Sequence, residues 1–163
     1  MSVGDFVWEH EEFAFYLPGP WRRSAANEGG DPLHVQLVCD PLETQLTLSI
    51  EAMDIPRADV PALAGELLAI RRASHRDWLA MPGHAAPGRR LVIADERTTP
   101  LPQVDSVEVS YTGQITGVGL FGFIGYVTPR KVVSLFCETR WSFAPSRLGV
   151  FRAVAAGFKN KLP

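Results

Sequence analysis

The sequence predicts an α+β fold: an antiparallel β-sheet of six or more strands flanked by helices, an α/β/α sandwich. Three observations lead there. Short runs of alternating apolar and polar residues recur along the chain between tight-turn sequences, as antiparallel strands with one buried face require. One long segment, 59–80, replaces that alternation with helical spacing. The run 132–136 presents apolar residues to both faces of its strand, which demands a covering layer on each side.

Taken in order, Phe13, Phe15 and Leu17 lie two apart and share one face of a strand, which Pro18-Gly19-Pro20 ends. Trp21 follows, then a polar loop over 27–32. Leu33–Cys39 and 44–53 read as two strands joined by a turn at Asp40-Pro41. In the second, Leu46, Leu48 and Ile50 alternate with Thr47, Ser49 and Glu51. The spacing predicts a helix over 59–80 with Asp59 as its N-cap and Pro61 in its first turn, where a missing N–H costs nothing. Val60, Leu63, Ala64, Leu67 and Leu68 form its apolar stripe, Trp78 and Leu79 close it, and Pro82-Gly83 ends the helix. Arg71, Arg72 and Arg76 fall off the stripe and read as a solvated basic face.

The second half reads as a β meander. Strands are expected over 89–98 and 103–112, the latter with Val107, Val109 and Tyr111 inward and Ser106, Glu108 and Ser110 outward. Two more, 118–127 and 132–139, flank Thr128-Pro129-Arg130-Lys131, a type I turn sequence. A last helix starts near Ser146 and buries Phe151, Val154, Ala155 and Phe158 at i, i+3, i+4 and i+7.

Bulk composition bounds the function. A chain of 163 residues, 46% hydrophobic and 21% charged, fits one folded domain over 1–163. Sixteen basic and 18 acidic side chains leave a net charge of −2, which gives no global attraction to nucleic acid. Arginine outnumbers lysine, as GC-rich codon usage produces, and this predicts a bacterial source. Cys39 and Cys137 sit in apolar runs and read as small buried hydrophobes rather than a disulfide framework. Residues 1–8 lack a basic n-region and an apolar h-region, and no apolar run reaches the ~18 residues that span a bilayer. A cytoplasmic protein without membrane insertion is expected.

Motifs of catalysis fail on context. Gly117-Val118-Gly119-Leu120-Phe121-Gly122 matches the dinucleotide pattern G-x-G-x-x-G. That pattern works only where a helix begins inside it, so that backbone N–H groups meet a pyrophosphate. Here the chain runs on through Phe123, Ile124, Gly125, Tyr126 and Val127, a strand sequence. His10-Glu11-Glu12 lacks the second histidine of a zinc-protease helix, and His34, His75, His84, Cys39-Asp40 and Cys137-Glu138 show no ligand spacing. No nucleophile elbow is present, and Cys137 in a buried strand is a poor thiolate. No catalytic residue, cofactor or metal is assigned.

With Phe13-x-Phe15-x-Leu17-Pro18-x-x-Trp21 at the front and Phe158-Lys159 near the end, the chain resembles the Mog/PsbP-like superfamily. The resemblance implies an antiparallel sheet between helices, and no shared catalytic residue. Known members are mostly non-catalytic: a Ran-binding protein, a photosystem subunit, and bacterial chaperone-adaptors for type VI secretion effectors, which tend to form homodimers.

Gly113, Gly117, Gly119, Gly122 and Gly125 are more glycine than a strand needs. Two accounts offset that cost: close approach of a partner, or tight packing of a helix of the same domain. The first makes Gly119, Phe121, Gly122, Phe123 and Tyr126 the candidate protein-binding surface. The expected function is therefore a non-catalytic protein-binding module, a bacterial adaptor, chaperone or secretion-associated partner, with a protein partner and the option of a homodimer. The alternative is a small-molecule-binding protein or an unrecognised hydrolase-like enzyme.

Overall fold

The structure, a computed structural model, describes residues 4–140 and 146–161. Met1, Ser2 and Val3 of the N-terminal stretch lie outside the described residues. The strands are β1 (Phe6–Glu9), β2 (Phe13–Leu17), β3 (Arg22–Asn27), β4 (Leu33–Cys39) and β5 (Thr44–Ala52). Helix α1 (Val60–Ala80) follows, then β6 (Leu91–Leu101), β7 (Ser106–Ile115), β8 (Gly119–Val127) and β9 (Lys131–Arg140). Helix α2 (Ser146–Gly157) and β10 (Phe158–Asn160) complete the described chain.

A seven-stranded sheet has the order β3-β4-β5-β9-β8-β7-β6, and a three-stranded sheet the order β1-β2-β10. Every pairing is antiparallel. The fold class expected from the sequence is what forms. The central strand β9 shows why the run 132–136 is apolar on both faces. Val133, Leu135 and Cys137 enter the core shared with the small sheet and α2, while Val132 and Phe136 pack into the core beneath α1. The first core takes Leu33, Val35 and Leu37 from β4, Leu46, Leu48 and Ile50 from β5, and Phe13, Phe15 and Leu17 from β2. The second takes Val60, Ala64 and Leu68 from α1, Val107, Val109 and Tyr111 from β7, and Phe121 and Phe123 from β8.

Several local expectations need correction. Strands β1 and β3 were not legible, and Asn27 ends β3 rather than opening a loop. Strand β3 is an edge strand with every side chain exposed, so it has no apolar alternation to read. Asp59 stands before α1 but makes no capping hydrogen bond from its side chain; a 3₁₀ turn, Arg57–Asp59, leads in instead. Residues 102–104 form another 3₁₀ turn, so β7 starts at Ser106. Ser106 itself is buried, its hydroxyl donating to the Val104 carbonyl at 2.8 Å. Phe158 is buried as expected, but it is the first residue of β10, pairing with Phe15 of β2, and the helix stops at Gly157. An added Cβ at Gly157 would strike the Tyr16 carbonyl, so the chain passes from α2 into β10 through a residue without a side chain. Phe151 is half-buried rather than a full core anchor.

Polar side chains tie the two sheets together. Lys131 is buried, and its Nζ donates to Glu12 Oε2 at 2.6 Å and to the Lys161 carbonyl at 2.7 Å. The preceding turn is closed by the Thr128 hydroxyl, which accepts from the N–H groups of Arg130 (3.1 Å) and Lys131 (3.0 Å). The hairpin turn thereby aims a buried ammonium at the beginning of β2 and the end of the described chain.

Candidate functional site

Helix α1 packs against β6, β7 and β8, and much of its side of the large sheet is left uncovered by the described residues. Beyond it, β4 and β5 turn Gln36, Gln45, Thr47 and Ser49 to the same side, none of them part of the apolar core beneath the helix. The step from helix to bare sheet is a cleft of about 610 Å³. Its inner wall is Arg71, His75 and Trp78 from α1, Phe121 from β8 and Phe136 from β9; Glu43, Gln45, Ser74, Glu138 and Arg140 stand around it. Residues 71, 74, 75 and 78 follow i, i+3, i+4, i+7, which places them on one face of the helix.

His75 organises this wall. Its ring stacks on Phe121 with centroids 4.1 Å apart and lies 5.6 Å from Phe136. Its Nε2 is 2.6 Å from the Tyr111 hydroxyl. Burial, with the positive charge of Arg71 second, lowers the His75 pKa to about 4. Burial raises the Tyr111 phenol to about 12, against the opposing pull of Arg71 and Arg72. The pair is therefore neutral on both sides at neutral pH.

Arg71, expected on a solvated face, is half-buried. Its guanidinium carbon lies 4.9 Å from the Phe123 ring centroid and 5.3 Å from that of Phe136. The long apolar stem and the cation–π attraction explain how a cation continues an otherwise apolar stripe. Burial lowers its pKa, and its Nε has no hydrogen-bond partner among the described residues. Of the other expected solvated arginines, Arg72 pairs with Glu96 at 3.0 Å and Arg76 is exposed. Glu138 is exposed to solvent, yet the walls around its carboxyl raise its pKa.

The five residues expected to form a binding surface do not share one face. Gly119, Phe121 and Phe123 point to the α1 side; Gly122 and Tyr126 point to the small sheet and α2. Gly119 and Phe121 line the cleft. Phe123 is fully buried beneath Arg71. Tyr126 is half-buried 6.4 Å from Phe158, its phenol raised by burial and by Glu108. Gly122 lies directly under the Phe151 ring, and a Cβ at Gly119 would meet the Thr139 carbonyl. Gly122 thus admits a side chain of α2, and Gly119 the backbone of the neighbouring strand β9.

The Ser74 hydroxyl and the His75 imidazole at the cleft are each engaged within the chain. Ser74 Oγ donates to the Arg71 carbonyl at 2.7 Å, and the His75 Nε2 is taken by Tyr111. Elsewhere, burial first and Glu138 second push the Cys137 thiol up to about 12, far from a reactive thiolate. Among the described residues no group of three or more His, Cys, Asp or Glu is placed to hold a metal ion, and no helix is long and apolar enough to cross a membrane. The wall residues Arg71, His75, Trp78, Phe136 and Glu138 escaped sequence reasoning as a site, although the helical spacing of 71, 75 and 78 was there to be read.

No family model and no curated protein matches this sequence. Among solved structures, the solution structure of cyanobacterial PsbP (CyanoP) from Synechocystis sp. PCC 6803 is similar, with a TM-score of 0.64 and 9% sequence identity, covering 99% of this chain and 95% of that one. At that identity the likeness concerns the backbone arrangement alone, and it extends over nearly the whole of both chains: this chain has a PsbP-like fold.

Proposed function

We propose that this chain is a non-catalytic binding module, an adaptor or chaperone of a bacterial cell, which holds a segment of a partner polypeptide in the cleft beside α1. The observation that carries the reading is the step where α1 stops covering its sheet. It combines aromatic walls with a polar floor, Gln45 and Glu138 side by side across β5 and β9. A polypeptide segment matches both, with an apolar side chain for the wall and backbone amides for the floor. His75 and Tyr111, neutral and bonded to each other, give the wall a fixed shape without a group free for proton transfer.

The test is to pan a displayed random-peptide library on the protein and on Ser74→Trp. Ser74 is an exposed rim residue, so the indole fills the cleft without entering the core. Enriched peptides should bind the wild type and lose binding to Ser74→Trp, with both proteins melting alike. No enrichment, or enrichment indifferent to the substitution, contradicts the reading. A small-molecule role is favoured by one observation: the cleft volume of about 610 Å³ lies within the range of small-ligand sites.

A further inference from the structure

We propose that the cleft seats a carboxylate joined to an apolar or aromatic group, with the Arg71 guanidinium as its counter-charge. This deepens the binding reading above and rests on the cleft being the occupied site. Among the described residues Arg71 is the cation of the inner wall, since Arg140 is exposed. The guanidinium is always charged at neutral pH and carries a fork of donors suited to a carboxylate. The rings of Phe123 and Phe136 attract it but accept no conventional hydrogen bond, and it forms no ion pair among the described residues. The Nε is closed off from the cleft, and it is the terminal nitrogens of the fork that a carboxylate in the cleft can meet in charge-assisted bonds.

The rest of the wall selects what the carboxylate is attached to. Phe121, Phe136, His75 and Trp78 offer ring faces for one apolar or aromatic group. Glu43 at the edge and Glu138 on the floor are exposed carboxylates, and they repel a second negative charge on the ligand. The site therefore fits a hydrophobic monocarboxylate rather than a dicarboxylate or a phosphate. Such a group has two sources: the C-terminal carboxyl of a polypeptide that ends in an aromatic residue, or a free arylalkanoic acid.

Calorimetric titration of the full chain tests this with defined probes. These are acetyl-Ala-Gly-Phe as the free acid and as the C-terminal amide, and 3-phenylpropanoate with its amide, each against the wild type, Arg71→Met and Arg71→Lys. The wild type should prefer at least one of the acids over its amide by at least about tenfold. Arg71→Met should abolish that preference, and Arg71→Lys, which keeps the charge but not the fork, should retain part of it. If Arg71→Met does not fold, reduced preference in Arg71→Lys decides. A tighter peptide acid assigns the polypeptide source, and a tighter phenylpropanoate the free acid. Equal binding of acids and amides, no binding of either acid, or an acid preference that survives Arg71→Met or is undiminished in Arg71→Lys overturns the proposal. Peptides whose capture is lost in Ser74→Trp but which show no acid preference would leave the binding function standing without this inference. Arg71-dependent acid binding without any peptide enrichment would do the reverse.

Discussion

His75 makes the stability of the cleft depend on pH. Its folded pKa of about 4 lies below the ordinary 6.5, because burial and Arg71 disfavour the imidazolium. The unfolded chain protonates near 6.5 while the folded chain stays neutral until about 4, so in that window the unfolded state binds more protons. The stability that depends on neutral His75 is complete above the unfolded value and is lost as pH falls from 6.5 to 4. Glu138, whose carboxyl is raised, acts in the opposite direction. Comparison with His75→Gln isolates the histidine: urea midpoints at pH 7 and pH 4.5 should fall further for the wild type than for the variant. Equal falls would contradict a neutral buried ring. Cys137 gives a second check at this scale. With its thiol raised to about 12 and its side chain buried, it should resist thiol reagents at pH 8 until denaturant is added. Rapid labelling of the native protein would contradict that burial.

At the scale of elements, β8 and the α2–β10 segment are fitted to each other. The Phe151 ring covers Gly122, so Gly122→Val should destabilise by about 1–3 kcal/mol through overpacking. The same substitution in a Phe151→Ala background should cost less, because the obstructing ring is gone; additive costs in the cycle would disprove the contact. Phe158 lies 5.2 Å from Phe15 by ring centroids and is buried, so Phe158→Ala should cost about 3–5 kcal/mol in chemical denaturation. An unchanged midpoint would mean that β10 contributes little. The sequence disclosed the burial of Phe158 but not its element, because i, i+7 helical spacing continues unbroken from Phe151 to a residue that the backbone places in a strand. It disclosed β4, β5 and β7 through alternation and β9 through apolar residues on both faces, and hid β3, whose exposed residues have none. Arg71 was hidden for a related reason: an apolar stripe is read by residue type, and a guanidinium lying on two rings breaks the type while keeping the position.

Across the whole molecule, one large sheet separates two cores, and the asymmetry of its covering creates the site. The small sheet, with α2, closes one face over β4, β5, β9 and β8, while α1 closes only part of the other. That asymmetry follows from pairing order, and no local pattern in the sequence encodes it. The proposed occupant of the cleft left beside α1 is a polypeptide, and site-directed photocrosslinking can catch it there. A benzophenone attached through Ser74→Cys lies on the rim, and one attached through Val92→Cys lies on the exposed edge strand β6, away from the cleft. The native cysteines are both buried, so labelling is confined to the introduced thiol. With a library-enriched peptide present, position 74 should capture the peptide and position 92 should not; capture at 92 without capture at 74 would contradict the account.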